Sequence, residues 1–228
     1  KAQSTGSDVA QRNAQDGISM VQTAEGALVE VGNMLQRMRE LAVQAANGTN
    51  TDTNRTELDK ERAQLTAQIE SIATQTNFNG IYMLSSTGTG YGNITLQIGA
   101  KNGETFTLNF LTDSIRINGG SIGATVISGA LLTTQAGAQA AITTFDNAIN
   151  AVSSMRSQLG AYQNRLDYTI NNLATQEENA TAAESAIRDA DIAKETISFT
   201  RNQILVSSGT SVLAQANILP QNALTLLG

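Results

Sequence analysis

The feature that most limits what this chain can become is an apolar stripe near its start. Val21, Ala24, Leu28, Val31, Leu35, Met38, Ala42 and Ala45 recur at alternating steps of three and four. That spacing lines one side of an α-helix and forms the seam of a coiled coil. Asn47-Gly48 follows as a stop signal. A helix over about 5–47 would be about 60 Å long at a rise of 1.5 Å per residue. Gly17, Gly26 and Gly32 lie inside it, each costing about 1 kcal/mol relative to Ala. Packing has to offset that cost, and glycine in a seam lets another backbone come close.

The period returns twice. Leu58, Leu65, Ile69 and Ile72, with the arm of Arg62 covering one site, predict a second helix over about 56–77. Asn54 or Thr56 are its candidate caps, and Asn77-Phe78-Asn79-Gly80 ends it, Asn-Gly being a turn signal. The short linker makes these two helices an antiparallel hairpin. Ile142, Phe145, Ile149, Val152, Leu159, Leu166, Ile170 and Leu173 predict a third helix over about 138–176, skipping Arg156 and Gln163.

Between the helical ends the punctuation changes. Of 19 glycines, 11 fall from Gly80 to Gly137, which breaks the chain into a helical front, a Gly-rich middle and a helical back. Within the middle, Asn93–Ile98 and Thr105–Phe110 alternate polar and apolar residues around Gly99-Ala100-Lys101-Asn102-Gly103. That is the pattern of a β-hairpin over about 93–110. Its apolar set, Ile94, Leu96 and Ile98 with Phe106, Leu108 and Phe110, can cover one helical face. Residues 112–137 have weak periodicity and read as irregular, with at most a short strand or turn.

Composition narrows the chemistry. The 228 residues include no His and no Cys. The commonest general base, the commonest metal ligand and every thiol function are therefore missing. A net charge of −6 argues against a nucleic-acid surface. Glu177-Glu178 and Asp189-x-Asp191 read as helix-surface carboxylates rather than metal ligands, having no glycine-containing calcium loop. Gly119-Gly120 lacks the Lys-[Ser/Thr] ending of a phosphate loop. Asn47-Gly48-Thr49, Asn54-Arg55-Thr56, Asn93-Ile94-Thr95 and Asn179-Ala180-Thr181 fit an N-glycosylation pattern that so Asn- and Thr-rich a chain produces by chance. No run reaches the roughly 18 apolar residues that span a bilayer. No catalysis and no cofactor are expected.

The last fifty residues differ again. Ile187, Ile197, Ile204, Val212, Leu213, Leu219, Leu224 and Leu227 suggest amphipathic helices, and the final 27 residues carry no charge. Ordering them costs about 1–2 kcal/mol of backbone entropy per residue. Eight or so buried side chains return only about 1.5–3 kcal/mol each. This segment needs a partner, and membrane insertion is not expected.

Several blocks then resemble bacterial flagellin: Arg12-Asn13-Ala14-Gln15-Asp16-Gly17, Gln22-Thr23-Ala24-Glu25-Gly26-Ala27-Leu28, Leu35-Gln36-Arg37-Met38-Arg39-Glu40-Leu41-Ala42-Val43-Gln44, Leu159-Gly160-Ala161-Tyr162-Gln163-Asn164-Arg165-Leu166 and Leu213-Ala214-Gln215-Ala216-Asn217 with Pro220-Gln221-Asn222. The resemblance covers roughly 1–111 and 138–228. It implies a mainly α fold: an elongated antiparallel helical bundle or coiled-coil rod with a small β-hairpin (the D1 rod, 1–179), then C-terminal D0 helices (180–228). Relative to that pattern the chain is expected to lack the leading D0 segment, as if cut into at an internal point. The variable outer domains are expected to shrink to 112–137.

The implied function is structural: a secreted, extracellular subunit that polymerises into the flagellar filament for motility after export through the flagellar type III secretion system. The implied partners are further copies, an export chaperone on 180–228, and filament cap and hook-associated proteins. A vertebrate Toll-like receptor for flagellin is a further implied partner. Gln36, Arg37, Leu41, Gln44 and Glu61 fall at positions where the resemblance places protofilament or receptor contacts, Leu41 being expected as an exposed anchor. The eight apolar positions from Ile187 to Leu227 are the expected D0-core or chaperone contacts. A cell-surface adhesin or glycan receptor and a hook–filament junction protein remain alternatives.

Overall fold

In the computed structural model the first stripe lies in α1, a 44-residue helix spanning Ala2–Ala45. Residues 2–85, 93–110, 127–188 and 192–225 are described, with side chains through 187 in the third segment and 216 in the last. Every seam position from Val21 to Ala45 is fully buried. Met34 and Leu41 add a second, adjoining line to the core, because α1 packs against more than one neighbour and its apolar stripe widens accordingly.

α1 does not end through a left-handed glycine. Gly48 is absent from the positive-φ residues, which among those described are Asn79, Gly80 and Gly103. Arg55 of the next helix terminates it instead: Nε donates to Ala45 O at 2.9 Å and Nη2 to Asn47 O at 3.1 Å. Those carbonyls have no partner within their own helix. α2 spans Asp52–Gln75, capped by Thr51, whose side chain accepts from Asn54 N, rather than by Asn54 or Thr56. Its buried line is Arg55, Arg62, Thr66, Ile69 and Ala73, with Leu58, Leu65 and Ile72 half-buried beside it.

After α2 the chain makes a small antiparallel pair, β1 (Asn77–Phe78) and β2 (Ile81–Tyr82). Asn79 and Gly80 at φ 50° and 80° form the turn between them, both left-handed as a tight hairpin requires. β3 (Asn93–Gln97) and β4 (Thr105–Asn109) form the larger hairpin, with Ile94 opposite Leu108 and Leu96 opposite Phe106. The apolar face docks on the helices. Phe106 meets Tyr162 edge-on with centroids 5.8 Å apart, Arg165 lies 4.6 Å over the Phe106 ring, and Asn13 Nδ2 donates to Gln97 O at 2.9 Å.

The glycine expectation for α1 needs correction. At Gly17 an added Cβ would strike the Leu96 side chain, whereas at Gly26 it would meet nothing within 4 Å. The close approach is made by the hairpin, and only where it crosses.

The third helix, α3, spans Gln135–Arg188 and so runs past the expected end at 176. Its buried line is Ala138, Ala141, Phe145, Ala148, Val152, Met155, Leu159, Tyr162, Leu166 and Leu173. Met155 and Tyr162 fill the places that Arg156 and Gln163 appeared to vacate. α1 and α3 run antiparallel, tied by Gln11–Glu177 (2.8 Å), Arg156–Glu25 (3.5 Å) and Arg39–Asp146 (2.6 Å).

Part of the stretch expected to be irregular is core. Ile127 and Leu132 are fully buried and Ala130 nearly so; residues 112–126 lie outside those described. The chain divides into two units, Lys1–Ala180 and Thr181–Gly228. The second contains the end of α3 and a fourth helix, α4 (Ile192–Thr225).

Candidate functional site

Two surfaces carry the residues that the sequence singled out. On the first, Arg37 of α1 reaches across to α2: Nε donates to Glu61 Oε1 at 2.9 Å and Nη1 to Glu40 Oε2 at 3.1 Å. The hydrogen bond Arg37 donates to Glu61, then that to Glu40, push the already basic guanidinium further up. All three side chains are between 45 % and 68 % exposed, so the pairing orients Arg37 more than it stabilises the fold. Gln36 and Gln44 are exposed on the same helix.

Leu41 is not part of this surface. It is 1 % exposed and belongs to the core, because the line Met34–Leu41 is covered in the bundle. The exposed aliphatic residue nearby is Val43, at 49 %.

Beneath lies a buried ion pair that periodicity did not reveal. Arg62 Nε donates to Asp59 Oδ1 at 2.7 Å, with side-chain exposures of 5 % and 17 %. Arg62 is therefore more than an aliphatic cover: its guanidinium is inside. Nη1 donates to Ile127 O at 3.4 Å, and Asp59 Oδ1 accepts from Leu132 N at 3.0 Å. The pair clasps the incoming chain at 127–132. Burial pushes the Asp59 carboxyl up, but the bonds from Arg62 and the Leu132 N–H outweigh it and hold it below its ordinary value. The sequence signal was there: Asp and Arg three apart on one helix face, with Arg in the seam.

The second surface is α4. Ile192, Ile197, Phe199, Ile204, Leu205, Val206, Val212 and Leu213 are all more than 60 % exposed, and Ile187 on α3 is 88 % exposed. Leu219, Leu224 and Leu227 lie outside the described side chains. The helix is not amphipathic in the expected sense. Ile192, Phe199, Val206 and Leu213 repeat at seven; Ile197 and Ile204 make another line, and Leu205 and Val212 a third. At 3.6 residues per turn these lines fall on different sides.

Among the described residues no cluster of three or more carboxylates is placed to hold a metal ion, and no helix is long and apolar enough to cross a membrane. Asp189 and Asp191 fall outside those residues. Phe106, Phe110, Phe145 and Tyr162 are buried, so four of the nine aromatic rings are withdrawn from any glycan-binding groove.

Residues 1–89 match the model of the bacterial flagellin N-terminal helical region, and residues 142–227 that of the bacterial flagellin C-terminal helical region. A flagellin of Halalkalibacterium halodurans is 47 % identical over 227 residues, covering the whole chain and 80 % of the relative. A flagellar filament core protein of Treponema maltophilum is 40 % identical, covering the whole chain and 82 % of the relative. The crystal structure of Bacillus cereus flagellin superimposes with a TM-score of 0.61 at 39 % identity, over 76 % of this chain and 94 % of that one.

Proposed function

Since the chain belongs to the bacterial flagellin family, we propose that it polymerises into the extracellular flagellar filament, through two kinds of surface that its two units provide. The protein is a structural subunit of the flagellum. The observation that carries the mechanism is α4, a helix of 34 residues whose large apolar side chains are bare on several sides. Large apolar side chains on several sides of one helix are buried only when the helix is enclosed, and enclosure from several sides takes more than one neighbour. Polymerisation supplies those neighbours as further copies of the same helix. Before assembly, an export chaperone covers 180–228 while the subunit awaits passage through the flagellar secretion channel. The filament cap and hook-associated proteins meet the same surface at the filament ends.

The Lys1–Ala180 unit contributes a preformed bundle. Its exposed α1–α2 face, with Gln36, Arg37, Gln44 and Glu61, packs between protofilaments, and the oriented Arg37 guanidinium offers a bidentate donor to a carboxylate. The same face is the one a vertebrate Toll-like receptor for flagellin would engage. The 1–179 and 180–228 segments correspond in this reading to the D1 rod and the C-terminal D0 segment.

A seeded assembly assay tests the central part. Replacing Ile204 and Leu205 by Asp is expected to abolish sedimentable polymer while leaving thermal unfolding of the helical bundle unchanged. Normal polymer from that double variant would refute the role of α4. Binding of the receptor ectodomain by Arg37→Ala, if unchanged from the parent, would remove the receptor contact.

A further inference from the structure

Three Asn-Gly pairs occur in the described residues: Asn47-Gly48, Asn79-Gly80 and Asn102-Gly103. The linkage is chemically labile. The backbone nitrogen of the glycine, after giving its proton to hydroxide, can attack Cγ of the preceding asparagine; an N–Cγ bond forms, the Cγ–Nδ2 bond breaks, and ammonia leaves with a proton from water. Water then opens the resulting succinimide at either carbonyl, giving Asp or isoaspartate. Glycine favours the reaction because no Cβ crowds the approach and its backbone turns freely. What decides between sites is whether the nitrogen and the carboxamide are free to meet.

At two of the pairs they are held. The Gly80 N–H donates to Asn77 Oδ1 at 3.4 Å, so the nucleophile is engaged inside a tight two-residue turn. At Asn47 the side-chain oxygen accepts from Thr49 N at 3.2 Å. Its carbonyl accepts from Asn50 N at 3.2 Å and from Arg55 Nη2 at 3.1 Å. The carboxamide and the peptide following it are both pinned by the α1–α2 corner.

At the third pair nothing comparable holds them. Asn102 and Gly103 sit exposed in the loop joining β3 and β4. Gly103 has φ +88° with no atom within 4 Å of where a Cβ would be. Among the described residues, neither the Asn102 side chain nor the Gly103 N–H has a hydrogen-bond partner. The loop is anchored on either side of the pair, by Ile98 N to Glu104 O at 3.0 Å and Glu104 N to Lys101 O at 3.3 Å. We infer that Asn102 is a site of spontaneous modification, converting to Asp and isoaspartate through a Gly103 succinimide ahead of Asn47 and Asn79. Isoaspartate there adds a methylene to the backbone and a carboxylate next to Glu104, whose own carboxylate accepts from Lys101 N at 3.0 Å. The hairpin tip therefore loosens once the product forms.

The test is peptide mapping by mass spectrometry of the full chain, aged at mildly alkaline and mildly acidic pH. The expected result is the mass gain of NH2 replaced by OH at Asn102 several-fold sooner than at Asn47 or Asn79, as two separable products, faster at the higher pH and absent in Asn102→Gln. A parallel sample in denaturant should bring the three sites to similar rates, because only the fold distinguishes them. Equal rates in the folded chain, or Asn102 lagging either other site, would overturn the inference. So would an ordering that survives unfolding, since sequence alone would then account for it.

Discussion

α1 and α4 are both long helices rich in Ile, Leu and Val, and they treat those side chains in opposite ways. Val21, Leu28 and Leu35 are fully buried, whereas Ile197, Ile204 and Leu213 are more than 60 % exposed. The difference lies in placement rather than in amount. In α1 most of the apolar residues keep to one widened stripe, which α2, α3 and the hairpin can cover within a single chain, and of the large ones only Val9 and Val43 stand out from it half exposed. In α4 they form lines on several sides, which α4 cannot satisfy by folding back on one neighbour. A stripe specifies an intramolecular core, and a distribution around the helix specifies enclosure by several partners. The filament subunit combines both, a bundle that is complete alone and a helix that is complete only in company.

The largest expected effect separates the two regions outright. Phe145→Ala removes a fully buried ring from the bundle and should cost about 3–5 kcal/mol by denaturant titration. Ile204→Ala on α4 should leave the bundle's unfolding midpoint in place. A comparable loss from both would erase the distinction.

Asp59→Ala comes next, at about 3 kcal/mol, because it strands the buried Arg62 guanidinium and the Leu132 N–H together. Acid does the same more gently. The Asp59 carboxyl is held below its ordinary value in the folded state, so the unfolded chain takes up the proton first. The clasp's contribution is present above the unfolded carboxylate value of about 3.9 and is lost as pH falls through the lower folded value. Thermal melts of the parent should fall in that range more steeply than those of Asp59→Ala.

A glycine pair gives a smaller and more local reading. Gly26→Ala should raise stability by about 1 kcal/mol, since the helix gains a better former and the space is open. Gly17→Ala should forfeit that gain because its methyl group lands on Leu96. The smallest effect belongs to Arg37→Ala, which should leave the melting temperature unmoved, its ion pairs being half exposed.

Much of the bundle was legible from periodicity. The α1 seam was readable residue by residue, and strand alternation gave the β3–β4 pairing. What periodicity could not supply were features built by distant segments meeting. Leu41 looked exposed because it lies off the 3-4 stripe, on an adjoining line that the bundle also covers. Arg62 looked like an aliphatic cover because Asp59 and the Ile127 carbonyl complete its site only after the chain returns. Met155 and Tyr162 were passed over in favour of Arg156 and Gln163, a slip of one residue on a helix whose small-residue seam positions, Ala141 and Ala148, give a weak register. For α4 the sequence shows a segment uncharged from Asn202 onward, but its pattern suggests amphipathic helices where the large apolar residues in fact scatter over several sides.

Hydrogen exchange on the subunit before and after assembly tests the account most directly. In the isolated chain, amides around Leu28–Leu35 should be strongly protected while those around Ile197–Leu213 exchange orders of magnitude faster, since only the first have a closed core around them. On polymerisation the second group should become protected with little change in the first. Strong protection of Ile197–Leu213 in the isolated chain, or none in the filament, would contradict it.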